Sequence, residues 1–357
     1  MNHIHQIQEQ LAQNGLDALL IADEKNQRYA TGFPFTDGLV LVGREKAWLI
    51  TDSRYIEAAE KAAGGCAEVW CFDRQHPLLA LARQALSECG AQKLGAEEGK
   101  LSYARYRDLE QKLALPLLPA QGLLDALRES KDEEEIESLT RAQRISEAAL
   151  EETLAIIRPG MSEKELAAEL VYRMLRHGSE GNSFAPIVVS GPNTSLPHGV
   201  PGERLLQNGD FITMDFGSLY NGYCSDMTRT VALGSATDEM RRVYETVLEA
   251  QLAGIAAARA GVPGKDIDGA ARAVIQREGY GPYFGHGFGH SVGLDIHEKP
   301  NAGPGVETPM PVGAVVTAEP GIYLPGRFGV RIEDMMIIRE GGAEVITKAP
   351  KMELIIV

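Results

Sequence analysis

The sequence of 357 residues contains no apolar run of the ~18–20 residues that a membrane helix requires. Its four cysteines, at positions 66, 71, 89 and 224, form neither a disulfide framework nor a CxxC metal pair. The first residues, MNHIHQIQEQ, lack the basic start and apolar stretch of a secretory signal. We therefore expect a cytoplasmic protein with reduced cysteines and no membrane segment.

Positive charge is also scarce. Lys and Arg number 35 against 50 Asp and Glu, which gives a formal net charge of −15. General affinity for nucleic acid or for anionic membranes requires a basic surface, so we expect neither as a partner.

The chain is long enough for two domains, because a single core usually stops growing at about 250–300 residues. In its first part, short apolar runs alternate with helical patterns. Strands are predicted at 16–22, 38–42, 46–51, 67–72 and 93–96, and helices at 54–63, 77–88 and 102–113. This order predicts a smaller α/β domain over residues 1–127 and places the second domain at 128–357.

The second domain contains an internal repeat. Segment 209–217, GDFITMDFG, aligns with 313–321, GAVVTAEPG, at an offset of 104 residues, so that Gly, Thr, acid and Gly match. Each half has the pattern helix, helix, hairpin, with the hairpins at 209–234 and 313–340. This order predicts a duplicated α+β domain in which helices cover one face of a curved antiparallel sheet.

Each hairpin carries two acids. The second acid lies four positions after a glycine, Gly222 or Gly329, that we interpret as a turn residue. The acids are Asp215 and Asp226 in the first half and Glu319 and Glu333 in the second. Buried carboxylates without partners are costly, so four converging acids indicate cations, and two divalent ions would balance them in charge. The alternative is that each acid pairs with an arginine, Arg229 or Arg331, or faces solvent.

Histidines concentrate between the hairpins. Segment 285–298, GHGFGHSVGLDIHE, carries His286, His290 and His297, and its glycines allow close approach to a ligand. A fourth, His198, lies in the Pro- and Gly-containing loop SGPNTSLPHG. A lone histidine is more often a hydrogen-bonded core residue, but three beside acidic hairpins favour a functional site.

Several motifs together resemble a known family. MDFG with SDMTRT, GHGFGHSVGLDIHE, TAEPGIY and VRIED, in this order, resemble the pita-bread metallopeptidases, the group of prolidase, aminopeptidase P and methionine aminopeptidase. YATGF at 29–33 and LITDSRY at 49–55 resemble the creatinase/prolidase amino-terminal domain, which methionine aminopeptidases lack. The resemblance implies a pita-bread catalytic domain after a smaller α/β domain, and favours the Xaa-Pro branch.

The resemblance also implies roles for residues. Two divalent metal ions, Mn²⁺ in preference to Co²⁺ or Zn²⁺, would be bound by Asp215, Asp226, His290, Glu319 and Glu333. Asp226 and Glu333 would bridge the metals, and a hydroxide between the metals would attack the peptide. His198, His297 and Glu319 would act in catalysis. Substrate binding is expected to involve His198, His286, His297, Tyr323 and Arg331.

The function expected from this resemblance is a two-metal Xaa-Pro aminopeptidase that acts on short peptides with proline at the second position. An Xaa-Pro dipeptidase is the nearest alternative, followed by a non-catalytic pita-bread binding protein and a creatinase-like amidinohydrolase. The amino-terminal domain resembles a module often used for pairing, so we also expect a homodimer.

Overall fold

A computed structural model describes residues 2–357 of the chain. The polypeptide forms two compact units, one ending at Arg128 and one spanning Glu129–Val357. No helix within residues 2–357 is both long and apolar enough to cross a membrane.

The first unit is built around one mixed six-stranded sheet. Its strands are β1 (Ala18–Ile21), β2 (Gly38–Gly43), β3 (Ala47–Thr51), β4 (Glu68–Cys71), β5 (Leu94–Ala96) and β6 (Leu117–Pro119). Their order is β4-β3-β2-β1-β5-β6, and β2 is antiparallel to both β1 and β3 while the other pairs are parallel. Its helices are α1 (Ile4–Gln13), α2 (Glu24–Thr31), α3 (Ile56–Ala63), α4 (Leu78–Glu88), α5 (Tyr103–Leu113) and α6 (Gln121–Glu129).

Apolar side chains on both faces of this sheet are buried. Leu19 and Ile21 pack with α1, α3 and α6 on one face, while Leu20 packs with α4 and α5 on the other. Both tryptophans lie near the second face: Trp48 is fully buried and meets the partly buried Trp70 edge to face. The predicted α/β architecture is confirmed, and its five predicted strands and three predicted helices are present.

The second unit contains four long helices and twelve strands. The helices are α7 (Glu133–Leu154), α8 (Glu163–Arg176), α9 (Asp238–Ala257) and α10 (Gly264–Arg277). The strands are β7 (Ile187–Ser190), β8 (Phe211–Phe216), β9 (Leu219–Tyr220), β10 (Tyr223–Cys224), β11 (Met227–Ala232), β12 (Gly289–Ser291), β13 (Glu298–Ala302), β14 (Val315–Ala318), β15 (Gly321–Leu324), β16 (Phe328–Arg331), β17 (Asp334–Arg339) and β18 (Gly342–Val345).

The repeat seen in the sequence is present as two similar hairpins. Strand β8 pairs antiparallel with β11 in the sheet β11-β8-β7, and β14 pairs antiparallel with β17 in the sheet β13-β12-β14-β17-β18. A short two-stranded hairpin interrupts each: β9 with β10 in the first half, β15 with β16 in the second. The predicted duplicated α+β arrangement is therefore confirmed.

Successive side chains along β8 point to opposite faces of the sheet. Ile212, Met214 and Phe216 pack into a core with α7 and α8, and the corresponding core of the second half is formed by α9, α10, β14 and β17. Thr213 and Asp215 alternate with these residues and so point to the opposite face of the sheet. Helices thus cover one face and leave the other to the acids.

One detail of the predicted hairpins is wrong. Gly222 lies in the turn between β9 and β10 with a positive φ of 73°, as expected, but Gly329 lies inside β16. The turn glycine of the second half is Gly326, with φ 69°. Gly329 is required for close packing, since a Cβ there would lie 2.3 Å from the carbonyl oxygen of Thr194.

Candidate metal centre

Four carboxylates from the two halves converge at the seam between the hairpins. Asp215 lies within β8 and Asp226 immediately before β11, whereas Glu319 follows β14 and Glu333 precedes β17. Asp226, Glu333 and His290 offer ligand atoms that all lie within 4.8 Å of one another. The structure therefore brings together residues that are 107 positions apart in sequence.

The imidazole of His290, on β12, faces carboxylate oxygens. Its Nε2 lies 3.3 Å from Oε1 of Glu319 and 3.6 Å from Oδ2 of Asp226. Its Nδ1 lies 3.2 Å from the carbonyl oxygen of Ser291, which only accepts, so Nδ1 carries the proton in the neutral ring. Burial lowers the pKa of His290. A neutral ring in this tautomer directs the Nε2 lone pair at two carboxylate oxygens, which accept and do not donate while they are ionised, and a cation between them would satisfy all three atoms.

Two buried carboxylate oxygens lack any hydrogen-bond donor among residues 2–357. They are Oδ1 of Asp215 and Oδ1 of Asp226. The two residues are 8% and 4% exposed, so water does not replace the missing donors easily. Buried acceptors without partners are costly unless a ligand satisfies them.

The acids also oppose one another electrostatically. Burial raises the pKa of Asp226 well above its ordinary value, and the charges of Asp215 and Glu319 raise it further. Burial likewise raises the pKa of Glu333, to which the charge of Asp226 adds, and burial raises the pKa of Glu319. Divalent cations among the four acids would remove this repulsion. An oxygen-rich set with one imidazole suits Mn²⁺ or Co²⁺.

Arg331 links one acid to two other predicted site residues. Its Nη2 donates to Oδ2 of Asp215 over 2.6 Å, and its Nη1 donates to the hydroxyl of Tyr323 over 2.8 Å. That hydroxyl lies 2.9 Å from Nε2 of His286, whose Nδ1 lies 2.9 Å from the carbonyl oxygen of Gly287. His286, Tyr323, Arg331 and Asp215 therefore form one hydrogen-bonded chain.

Pairing with arginine explains only one of the four acids. Arg331 satisfies one oxygen of Asp215, but Arg229 forms its ion pair with Asp334, 2.7 Å away, and with none of the four. The alternative in which arginines neutralise every acid is therefore wrong for this site.

Two threonines that the sequence reasoning missed hold acids of the second half. The hydroxyl of Thr228 donates to Oε2 of Glu333 over 2.7 Å and accepts from Nε of Arg331. The hydroxyl of Thr317 donates to Oε1 of Glu319 over 3.1 Å and accepts from the amide of His290. The matching threonines of the repeat and the motif SDMTRT were available signals for both.

His297 and His198 are the exposed members of the predicted set. The His297 ring meets that of His290 edge to face, with centroids 4.3 Å apart. Partial burial lowers the pKa of His297, and the nearby positive charge of protonated His290 or His198 would lower it further. The accessible His297 ring thus lies beside His290, and His198 lies near enough to His297 for its charge to act on that ring.

The loop that bears His198 is held by a buried acid that the sequence reasoning did not identify as functional. Glu163, fully buried at the start of α8, accepts at Oε1 from the amide and hydroxyl of Ser190 and from Nδ2 of Asn193, over 2.8–3.0 Å. Its Oε2 accepts from the amide of Gly202 over 3.0 Å. One carboxylate therefore fixes both ends of the loop around His198.

Both units of the chain match known families. The family described as Metallopeptidase family M24 matches residues 137–340, and the Creatinase/Prolidase N-terminal domain matches residues 3–130. The chain belongs to metallopeptidase family M24. It is thus a metal-dependent peptidase with a pita-bread catalytic domain, and the predicted family and fold are confirmed.

Relatives match over nearly the full length. A solved structure of an Xaa-Pro dipeptidase from Bacillus anthracis is 42% identical, covers 99% of each chain and superposes with a TM-score of 0.95. A solved X-Pro aminopeptidase from Thermotoga maritima is 37% identical over 96% of this chain and 98% of its own, with a TM-score of 0.92. An Xaa-Pro dipeptidase from Pyrococcus furiosus is 36% identical over 95% of each chain.

Proposed function

We propose that this protein is an Xaa-Pro dipeptidase that works with two divalent metal ions. The observation that carries the proposal is the close approach of acceptor atoms from both halves: Nε2 of His290 lies 3.3 Å from Oε1 of Glu319 and 3.6 Å from Oδ2 of Asp226, and Oδ1 of Asp215 and Oδ1 of Asp226 have no donor among residues 2–357. The sequence favoured an aminopeptidase of the same branch. Two of the three relatives described above bear the name dipeptidase, which supports the alternative better.

The proposed ligands are Asp215, Asp226, His290, Glu319 and Glu333, with Asp226 and Glu333 shared by both ions. The distances from His290 Nε2 to Asp226 and Glu319 support one ion held by these three residues. Asp215 would then serve the other ion through Oδ1, because Arg331 occupies Oδ2. When bound, such a pair of ions polarises a carbonyl and lowers the pKa of water.

The protein side chains would position the peptide and move its protons. We assign proton transfer to Glu319, whose Oε1 accepts a hydrogen bond from the hydroxyl of Thr317. His198 and His297, both exposed, would donate hydrogen bonds to the carbonyl oxygen as it becomes negative. His286 has both ring nitrogens engaged, so it would contact substrate through its ring and orient Tyr323 and Arg331.

When proline follows the scissile bond, that bond has no N–H group, on which other peptidases depend. Such peptides therefore require a site that is shaped for the proline ring. A dipeptide also presents a carboxylate that requires a cation. Arg331 is already engaged with Asp215, and Arg327 pairs with Glu239. We propose that the carboxylate of the dipeptide pairs with Lys299, an exposed residue two positions after His297.

The test compares Ala-Pro with Ala-Pro-Ala in Mn²⁺, with and without a chelator. We expect metal-dependent cleavage that favours Ala-Pro, and a raised KM for Ala-Pro alone in Lys299→Met. Lys348→Met, at another exposed lysine, is the matched control. Preferred cleavage of Ala-Pro-Ala would restore the aminopeptidase, and inactivity of the metal-loaded protein on both would overturn the proposal. Urea release from creatine would indicate an amidinohydrolase instead.

A homodimer and a cytoplasmic location stay predictions. Light scattering at micromolar concentration would report a mass near 77 kDa for a dimer, twice the 38.7 kDa of the chain. A mass that stays at the monomer value with metals present would contradict the dimer.

A further inference from the structure

A buried polar network contacts the backbone beside two of the proposed metal ligands, Glu319 and Glu333. It consists of Gln251 on α9, Lys351, Asp334 and Arg229, none of which is a proposed ligand or substrate residue. Gln251 and Asp334 are fully buried, Arg229 is 1% exposed, and the Lys351 side chain is 13% exposed. Burial of so many polar groups requires that each be hydrogen-bonded.

The carboxamide of Gln251 joins the two chain segments that bear these acids. Its Nε2 donates to the carbonyl oxygen of Ala318 over 2.9 Å and to that of Ile332 over 3.2 Å. Ala318 immediately precedes Glu319, and Ile332 immediately precedes Glu333. One side chain thus fixes the peptide group that leads into each acid.

The orientation of this carboxamide is determined by its neighbours. Both carbonyl oxygens only accept, and Nζ of Lys351, 2.6 Å from Oε1, only donates. The reversed amide would place an acceptor against two acceptors and a donor against an ammonium group. Only one orientation satisfies all three contacts, so the carboxamide of Gln251 is fixed with its NH₂ group toward the two carbonyl oxygens.

The rest of the network reaches the other side of Glu333. Lys351 pairs with Oδ2 of Asp334, and Oδ1 of Asp334 accepts from Nη2 of Arg229 over 2.7 Å. Nη1 of Arg229 donates to the carbonyl oxygen of Glu333 over 2.7 Å. The peptide groups before and after Glu333 therefore both receive a hydrogen bond from this network.

The sheet itself does not provide these bonds. The ladder between β14 and β17 ends at the pair Ala318 and Asp334, one residue short of either acid. Beyond it the two amides diverge, since that of Glu319 donates to Phe288 and that of Glu333 to Thr228. Gln251 connects the strands where their own pairing stops.

We propose that Gln251 is a positioning residue that sets the separation of Glu319 and Glu333 for metal binding. The inference rests on the proposed metal site. Removing the donor would let the two acids move apart while every proposed ligand remains. Loss of a partner that orients a ligand typically costs roughly 10–100-fold in metal affinity.

The test uses Co²⁺ alone as the probe, titrated into the full-length, metal-free protein. We expect Gln251→Leu to raise the apparent Kd for Co²⁺ by roughly 10–100-fold and to change the visible absorption spectrum of the bound ion, which reports ligand geometry. Gln143→Leu is the matched control. Gln143 is a buried glutamine on α7 whose Nε2 contacts the sulfur of Met227 and whose Oε1 has no partner among residues 2–357.

The control should keep both the Kd and the spectrum of the natural protein. Unchanged Kd and spectrum in Gln251→Leu would overturn the inference. If Gln251→Leu does not fold, as judged by circular dichroism, Lys351→Met decides, because it frees Oε1 and should change the spectrum in the same direction. No Co²⁺ binding by the natural protein would overturn the proposed metal site itself, which is a separate outcome.

Discussion

Arg331 and Asp215 form a buried ion pair in which only one oxygen of the carboxylate is used. Nη2 of Arg331 lies 2.6 Å from Oδ2, and Oδ1 has no donor among residues 2–357. The side chains are 4% and 12% exposed, so solvent screens the pair weakly. The guanidinium therefore compensates the acids while metal is absent and still leaves one oxygen available to an ion.

Arg331→Met should destabilise the metal-free protein strongly, because it leaves Asp215 buried and unpaired beside three other acids. Breaking a buried pair on one side costs about 3–5 kcal/mol. Added Mn²⁺ should recover part of this, so the metal-induced rise in Tm should exceed that of the natural protein in differential scanning fluorimetry. Arg327→Met, which removes an exposed pair with Glu239, should change Tm little. An equal loss of Tm with and without metal would contradict this explanation.

The shared acids should matter for both ions at once. Asp226→Ala and Glu333→Ala should each abolish activity and reduce the amount of bound metal, because removal of a bridging carboxylate takes a ligand from both ions. Metal analysis of the purified variants checks this. Asp266→Ala, at an exposed acid in the first turn of α10, serves as the control. Two metals per chain with substantial turnover in either variant would refute the assignment.

The histidines should separate by role. His290→Ala should lose metal, because its Nε2 faces Asp226 and Glu319 directly. His198→Ala and His297→Ala should keep most of the metal and lose on the order of 10²–10³ in rate, the usual cost of one oxyanion donor. Metal content measured beside kcat for the three variants decides between the roles. Equal metal loss in all three would remove the distinction.

Glu163→Gln should lower turnover without lowering metal content. The amide can replace only one carboxylate oxygen, so its NH₂ group would face the amide of Gly202 or the donors from Ser190 and Asn193. The loop that bears His198 would be released at one end, and we expect kcat/KM for Ala-Pro to fall at least roughly tenfold. Glu165→Gln in the same helical turn is the control, because glutamine also completes a capping box. A similar fall in both variants would indicate a general effect on α8.

Residues that belong to a repeated or short local sequence pattern were predictable from the sequence. The acids of the hairpins were found through the repeat, and a capping box of Ser162 and Glu165 marks the start of α8 in the sequence. Helix α2 was missed because its buried face includes the polar residues Asn26 and Gln27, which give no apolar periodicity. Gln251 was missed because its acceptors lie 67 and 81 residues away and are backbone carbonyls, which leave no trace in side-chain patterns.

The two halves of the catalytic domain share hydrogen bonds at one of the four acids. The amide of Glu333 donates to the carbonyl oxygen of Thr228 over 3.1 Å, and the Thr228 hydroxyl donates back to the Glu333 carboxylate. The first copy thus supplies part of the environment of an acid in the second. A substitution of Thr228 in the first copy therefore changes the surroundings of Glu333 in the second, although the two residues are 105 positions apart.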